Sequence, residues 1–203
     1  VARAVALKVA EAANGIILPD LAYNWSGATD GFPGTLSIEP ELMQQMIISI
    51  LRKAMRMGFQ RLVIISAHGP NDAMLMPVAR RFFEVEGVPV FVPRLISFND
   101  PKMRALFSQP DTFGGEGTMV LGALKILGQP DLYSEAEMRR ADQAPALPES
   151  LQRLQRAGPV GYFFQEPRQH ACPSEAISLQ HGVEFIEGLV PPIVAALGDL
   201  SRY

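Results

Sequence analysis

The sequence predicts an α/β domain in which a mostly parallel sheet is covered by helices. Three observations carry this. The run Leu62, Val63, Ile64, Ile65 is continuously apolar and mostly β-branched, the pattern of a strand buried on both faces. Helical patterns flank it, Glu41–Met57 before and Ala73–Glu86 after. A second apolar run, Val88–Val92, follows the later helix, and strand, helix, strand is the order of a crossover between parallel strands.

The chain has 203 residues, which suits one domain over 1–203 with a sizeable core. Hydrophobic residues make up 48%, charged ones 19%, and the net charge is −3. That balance argues against a disordered chain and against the basic face of a nucleic-acid binder, and points to a small-molecule partner. No apolar run reaches the roughly 18 residues of a membrane span and no signal-peptide pattern opens the chain. The single cysteine, Cys172, excludes an internal disulfide and fits a reducing cytoplasm. The chain opens at Val1, without an initiator methionine and already inside a helical pattern. An upstream segment is therefore expected.

Val1–Ala13 reads as an amphipathic helix through Val1, Ala4, Val5, Val9 and Ala12, with Asn14-Gly15 as its stop. Ile16–Leu18 is expected as a short buried strand ended by Pro19. The stretch from Asp20 to Glu39 is loop-like and carries Tyr23, Asn24, Trp25, Ser26 and the run Phe32-Pro33-Gly34-Thr35; a loop of that length tends to be functional. In the helix Glu41–Met57, Leu42, Met46, Ile50 and Met57 are among the apolar positions, with Pro40 near its first turn and Gly58 at its end. After Val92 a short helix is expected over Lys102–Phe107, then a glycine-rich turn, Asp111 to Thr118, ahead of a helix Met119–Leu127. Helical pieces follow at Glu135–Ala141 and Glu149–Ala157, a further strand at Gly161–Phe164, and a mostly helical Ser178–Leu197 in which Pro191-Pro192 should force a break or restart.

The three histidines are His68, His170 and His181. His68 follows the central strand beside Gly69, at the sheet edge where α/β domains bind ligands; it reads either as a ligand or catalyst or as a loop hydrogen-bonder. Glu116, between Gly115 and Gly117, reads either as a metal ligand or as a helix N-cap or first-turn acid favoured by the helix dipole. His181 falls in a helical pattern among polar residues and is expected to be exposed. Cys172 beside His170 does not by spacing make a thiol dyad. There is no GxSxG elbow and no GxGxxG fingerprint. Trp25 with Tyr23 either stacks on a substrate ring or caps the core.

These pieces resemble the creatininase family of metal-dependent amidohydrolases. Tyr23-Asn24-Trp25-Ser26 leading into Phe32-Pro33-Gly34-Thr35 resembles the family's tyrosine, glycine, any residue, serine pattern and its FPGT element. Gly58-Phe59, the strand Leu62–Ile65 and Ser66-Ala67-His68-Gly69-Pro70-Asn71 resemble the family's glycine-phenylalanine, strand and asparagine-glycine-histidine-glycine-glycine-asparagine segment. Glu116-Gly117-Thr118 falls where the family has glutamate-threonine-serine before an apolar helix.

The resemblance implies a three-layer sandwich and a binuclear centre of divalent metal (zinc, manganese or iron) that activates water to open a carbon–nitrogen bond, usually of a cyclic amide. It implies His68 and Glu116 as metal ligands and places Ser26, Trp25 and Asn71 near the substrate, with Asp111 where the family often has a histidine. Which residue does the catalytic proton transfer is not assigned. The remaining family ligands, a glutamate and a histidine in one short motif and an aspartate after it, precede the helix that opens this chain; roughly 30–40 upstream residues carrying a strand and these ligands are expected. His68 and Glu116 should then face a common cleft holding an incomplete metal site. Ser66-Ala67 and Asp111 depart from the pattern where substrate is held, so a cyclic compound other than creatinine is expected. The alternatives are hydrolysis of an oxidised inositol at a carbon–carbon bond and a metal-free binding or scaffold relative. The resemblance also implies a homo-oligomer, often a hexamer, to which exposed parts of the methionine-rich helix could contribute.

Overall fold

The structure is a computed structural model that describes residues 1–95, 115–138, 147–165, 169 and 176–200. The expected Lys102–Phe107 helix and the residues Asp111, His170 and Cys172 lie outside the described residues.

A two-stranded parallel sheet, β1 (Leu62–Val63) beside β2 (Val90–Phe91), forms the middle layer, with Leu62 opposite Val90 and Val63 opposite Phe91. Side chains alternate across it. Leu62, Ile64, Val90 and Val92 pack on one face against α2 (Pro40–Arg56) and α3 (Asn71–Glu86). Val63, Ile65 and Phe91 pack on the other against α1 (Ala2–Ala13), α4 (Gly115–Ile126) and the last helix, α7 (Leu179–Leu200). This is the three-layer α/β arrangement expected, and it explains why the β1 run is apolar at every position. Two shorter helices, α5 (Glu135–Met138) and α6 (Glu149–Ala157), complete the described elements.

Local chemistry sets the element ends. Asn14 takes the left-handed conformation (φ 50°) that closes α1. Gly58 (φ 96°) ends α2, where Phe59 N–H bonds back to Ala54 O at 3.2 Å. In α5, Ser134 and Glu137 cap one another: Glu137 accepts from the Ser134 N–H and hydroxyl, both at 2.7 Å, and gives its N–H to Ser134 Oγ at 3.3 Å. These bonds hold the Glu137 carboxyl below the ordinary glutamate range.

Helices α4 and α7 touch through their backbones. A Cβ on Gly122 would fall 2.1 Å from the Gly182 carbonyl carbon, and one on Gly182 would fall 2.0 Å from Thr118 O. Only glycine fits at this crossing. Thr118, fully buried, accepts the Ser178 N–H on Oγ1 at 3.1 Å just before α7, and Glu135 caps the Leu179 N–H at 2.9 Å.

Several expectations change. The apolar phase of α2 is shifted: Met43, Ile47, Ile48, Leu51 and Ala54 are buried, while Leu42 and Met57 are exposed. That helix is apolar over most of its wheel, and contact with α3 and the sheet chooses the inner face. Pro191-Pro192 do not break α7. Phe185, Ile186, Leu189 and Ile193 are fully buried on both sides of the pair. Glu187, whose carbonyl loses its donor to Pro191, is exposed and can bond water. Gly161–Phe164 is not a strand; the Phe164 N–H bonds to Ala28 O at 2.9 Å. Ile16–Leu18 is not a strand, because no strand lies beside it among the described residues, and Ile16 is 71% exposed. Finally, α4 begins at Gly115, so Glu116 sits in a first helical turn and not in a loop ahead of the helix.

The helix crossing makes a stability prediction. Gly182→Ala should cost about 3 kcal/mol or more, because the obstacle is backbone that cannot move aside. Gly198→Ala, later in the same helix and facing open space, should stabilise by roughly 0.5–1 kcal/mol. Urea denaturation of the two variants checks this contrast; equal effects would contradict it.

Candidate functional site

The carboxyl end of β1 leads through Ile64 and Ile65 into Ser66-Ala67-His68-Gly69-Pro70, and α3 starts at once at Asn71. One hydroxyl organises this turn. Ser66 Oγ receives the His68 N–H at 3.4 Å and the Asn71 side-chain amide at 3.3 Å, and lies 3.5 Å from His68 O as a donor. The Asn71 N–H bonds to His68 O at 3.0 Å and the Asp72 N–H to Gly69 O at 3.1 Å, folding the turn onto the first turn of α3. Asn71 is only 4% exposed, and its Oδ1 has no hydrogen-bond partner among the described residues. A buried acceptor left without a donor is costly, and marks a place where a donor from another group would be welcome.

The loop from Tyr23 to Ile38 docks onto this turn. Gly27 (φ 60°) comes so close to Pro70 that a Cβ there would lie 3.3 Å from the proline Cβ and 3.7 Å from the Trp25 ring. Ser26 is held by its neighbours: its N–H goes to Ser37 Oγ at 3.1 Å, and its carbonyl accepts the Thr29 hydroxyl at 2.9 Å. Thr35 of the Phe32-Pro33-Gly34-Thr35 run bonds to Phe32 O and Thr29 O, and Phe32 packs against Phe164 with ring centres 6.1 Å apart. Trp25 packs partly buried on the core beneath α2 and α3, which is the core-capping reading of that residue.

A cavity of about 1030 Å³ opens beside β1 and runs from Val1 and Ile16 to Asn24, His68 and Asn71. His68 and Asn71 thus share one cavity. Trp25, Ser26 and Glu116 do not line it; Glu116 is exposed on α4. His181, expected to be exposed, is half-buried in the first turn of α7, where local polarity is overridden by the contact with α4, and its Nδ1 is buried without a hydrogen-bond partner among the described residues. Among the described residues, no three His, Cys, Asp or Glu side chains come together as a possible metal site. One imidazole at a strand end and one carboxylate on a helix supply part of a donor set; a catalytic ion takes about three protein ligands. The fit to a metal centre is therefore incomplete within these residues.

Sequence reasoning passed over Ser66 as an organiser and Asn24 as a cavity residue. For Ser66 the signal was present: a hydroxyl two residues before a strand-end histidine can satisfy the turn's N–H groups. Ser66→Ala should lower stability by about 1 kcal/mol and release the Asn71 amide. Urea titration together with the side-chain amide resonances of Asn71 checks both; an unchanged Asn71 environment would contradict the assignment.

Comparison with known proteins agrees with this geometry. A family model described as creatininase, creatinine amidohydrolase, matches residues 1–196. A creatinine amidohydrolase of Pseudomonas putida is 29% identical over 105 residues, 48% of this chain and 40% of that protein. A mycofactocin precursor peptide peptidase of Mycolicibacterium smegmatis is 33% identical over 82 residues, 38% of this chain and 33% of that protein. The matched stretches thus span less than half the length of these two relatives. A crystal structure of creatinine amidohydrolase superposes with TM-score 0.73 at 22% identity, covering 98% of this chain and 80% of that one, and a manganese form of creatininase gives 0.71 at 23%, covering 98% and 81%. Because the family model covers residues 1–196 of the 203, the chain belongs to the creatininase family.

Proposed function

We propose that the protein is a hydrolase that cleaves the carbon–nitrogen bond of a small cyclic amide, using a metal-activated water. The observation that carries this reading is the family match over residues 1–196, combined with a His68 turn that opens into a cavity at the carboxyl end of β1. His68 and Glu116 would contribute to holding the metal, and further ligands would come from outside the described residues. Relatives of the same fold include manganese and zinc forms. When bound, such a centre supplies a nucleophilic hydroxide near neutral pH and polarises the amide carbonyl.

What this chain itself contributes is placement. The Ser66 hydroxyl fixes the His68 backbone, and the Asn71 Oδ1 acceptor is available to an amide N–H of the substrate. Leu42, exposed on α2, and Met57, exposed at its C-terminal cap, would lie in contacts between copies of a homo-oligomer. A second reading, cleavage of a peptide amide, is favoured by the relative named as a precursor peptide peptidase.

Ring opening of cyclic amides and cleavage of short peptides, each followed by proton NMR, distinguish the two readings. In the product of the complete reading frame, His68→Ala should lower kcat/KM at least about 100-fold while leaving the thermal midpoint nearly unchanged. Full activity of that variant would refute the assignment.

A further inference from the structure

The outer edge of β2 is open, and α3 borders it with a small apolar recess. Ile64 gives its N–H to Phe91 O at 2.9 Å, so Phe91 addresses β1. Alternate residues of a strand address opposite edges, and Val90 and Val92 therefore turn their N–H and C=O groups outward, where no partner lies among the described residues. Pro89 and Pro93 share the parity of Phe91. Lacking an N–H, they shorten the ladder to β1 and leave the Val90 and Val92 donors in place. That is the reverse of the usual protection of a free edge, in which proline or lysine removes the outward pairing. Beside the edge, Met76 and Ala79 of α3 line, with Val90 and Val92, a recess of about 160 Å³. This is below the size that holds a whole small molecule and suits one aliphatic side chain. Arg94 stands at the carboxyl end of the groove with its side chain 62% exposed. Its ion-pair contact among the described residues is Asp72 Oδ2 at 3.9 Å, well beyond the roughly 2.7–2.9 Å of a charged hydrogen bond, so its donors are uncommitted.

We propose that the groove between β2 and α3 binds the C-terminal end of an extended peptide. The peptide adds to the sheet parallel to β2 and pairs its main chain with Val90 and Val92. One aliphatic side chain enters the recess beside Met76 and Ala79, and the terminal carboxylate meets the Arg94 guanidinium, whose planar fork matches it. Charge sets both the direction and the occupant. A strand parallel to β2 brings its carboxyl terminus to Arg94, whereas an antiparallel one would bring an amino terminus, a like charge. Asp72 steadies the guanidinium from the first turn of α3, where its own N–H bonds to Gly69 O at 3.1 Å. The β2 strand of a second copy is a poorer occupant: residues 88–94 carry no acid, and two-fold pairing would set Arg94 against an apolar residue. The inference does not depend on which bond the protein hydrolyses.

Nitrogen-15 NMR of the complete gene product tests it, with acetyl-lysyl-threonyl-valyl-isoleucyl-valine as the probe, supplied as the free acid and as the C-terminal amide. Before peptide is added, the Val90 and Val92 amides should exchange with solvent roughly 100-fold faster than that of Phe91. The free acid should shift the Val90 and Val92 amides and the Arg94 Nε–H signal, and should bind at least about tenfold more tightly than the amide. Arg94→Met should remove that difference by weakening the acid alone, and Arg94→Lys should keep part of it. N-methylation of the probe at alternate residues should weaken binding about tenfold through loss of the main-chain pairing. Equal binding of acid and amide would overturn the proposal, as would binding that leaves Val90 and Val92 unshifted, or no binding at millimolar peptide. Protection of Val90 and Val92 before peptide is added would also overturn it, since another part of the polypeptide or a second copy would then hold the edge. Arg94 is exposed, so its variants should fold as the parent does. Cleavage of the probe, read from its own proton signals, bears on the hydrolase reading and leaves the groove's test unchanged.

Discussion

Everything in this molecule is arranged around the burial of one short strand on both faces. Leu62 and Ile64 belong to the core under α2 and α3; Val63 and Ile65 belong to the core under α1, α4 and α7. No position on the strand is free to be polar until the chain leaves both cores, and it does so at Ser66. The first residues that can carry chemistry are therefore those of the turn that follows, and the sheet aims them at the cavity. A polar substitution at Ile64 or Ile65 would damage a core, whereas loss of the Ser66 hydroxyl would damage a turn.

The two cores are held in different ways. On the α2–α3 side, side chains interdigitate, and Arg52 reaches Glu86 at 2.6 Å across the helix pair. With Arg52 partly exposed, that pair adds little beyond orientation. On the α4–α7 side the backbones themselves touch at Gly122 and Gly182, which brings Thr118 within reach of the Ser178 N–H. Close backbone approach makes that helix pair intolerant of volume.

What was legible in the sequence was what depends on neighbours in the chain. The α1 stop at Asn14, the Gly58 end of α2, the helix Glu149–Ala157 and the central strand all rest on local patterns, and the structure has them. The His68 turn was legible because a strand end followed by His-Gly is a local signal. What depended on distant partners was not. The inner face of α2 is chosen by α3 and the sheet, Ile16–Leu18 needs a partner strand to become one, and α7 passes through Pro191-Pro192 because the burial of Phe185 to Ile193 outweighs two lost hydrogen bonds. The roles of Trp25 and Ser26 likewise follow from packing: both support the loop that docks on Pro70, and neither lines the cavity beside His68.

On the function proposed above, the β1 carboxyl end is the working edge of the molecule and His68 would meet the metal. The most direct test is an anomalous difference map from crystals of the complete gene product grown with zinc or manganese. The account predicts a peak about 2.0–2.2 Å from an imidazole nitrogen of His68. A peak elsewhere, or a His68 ring that remains far from any metal when the protein is loaded and active, would contradict it.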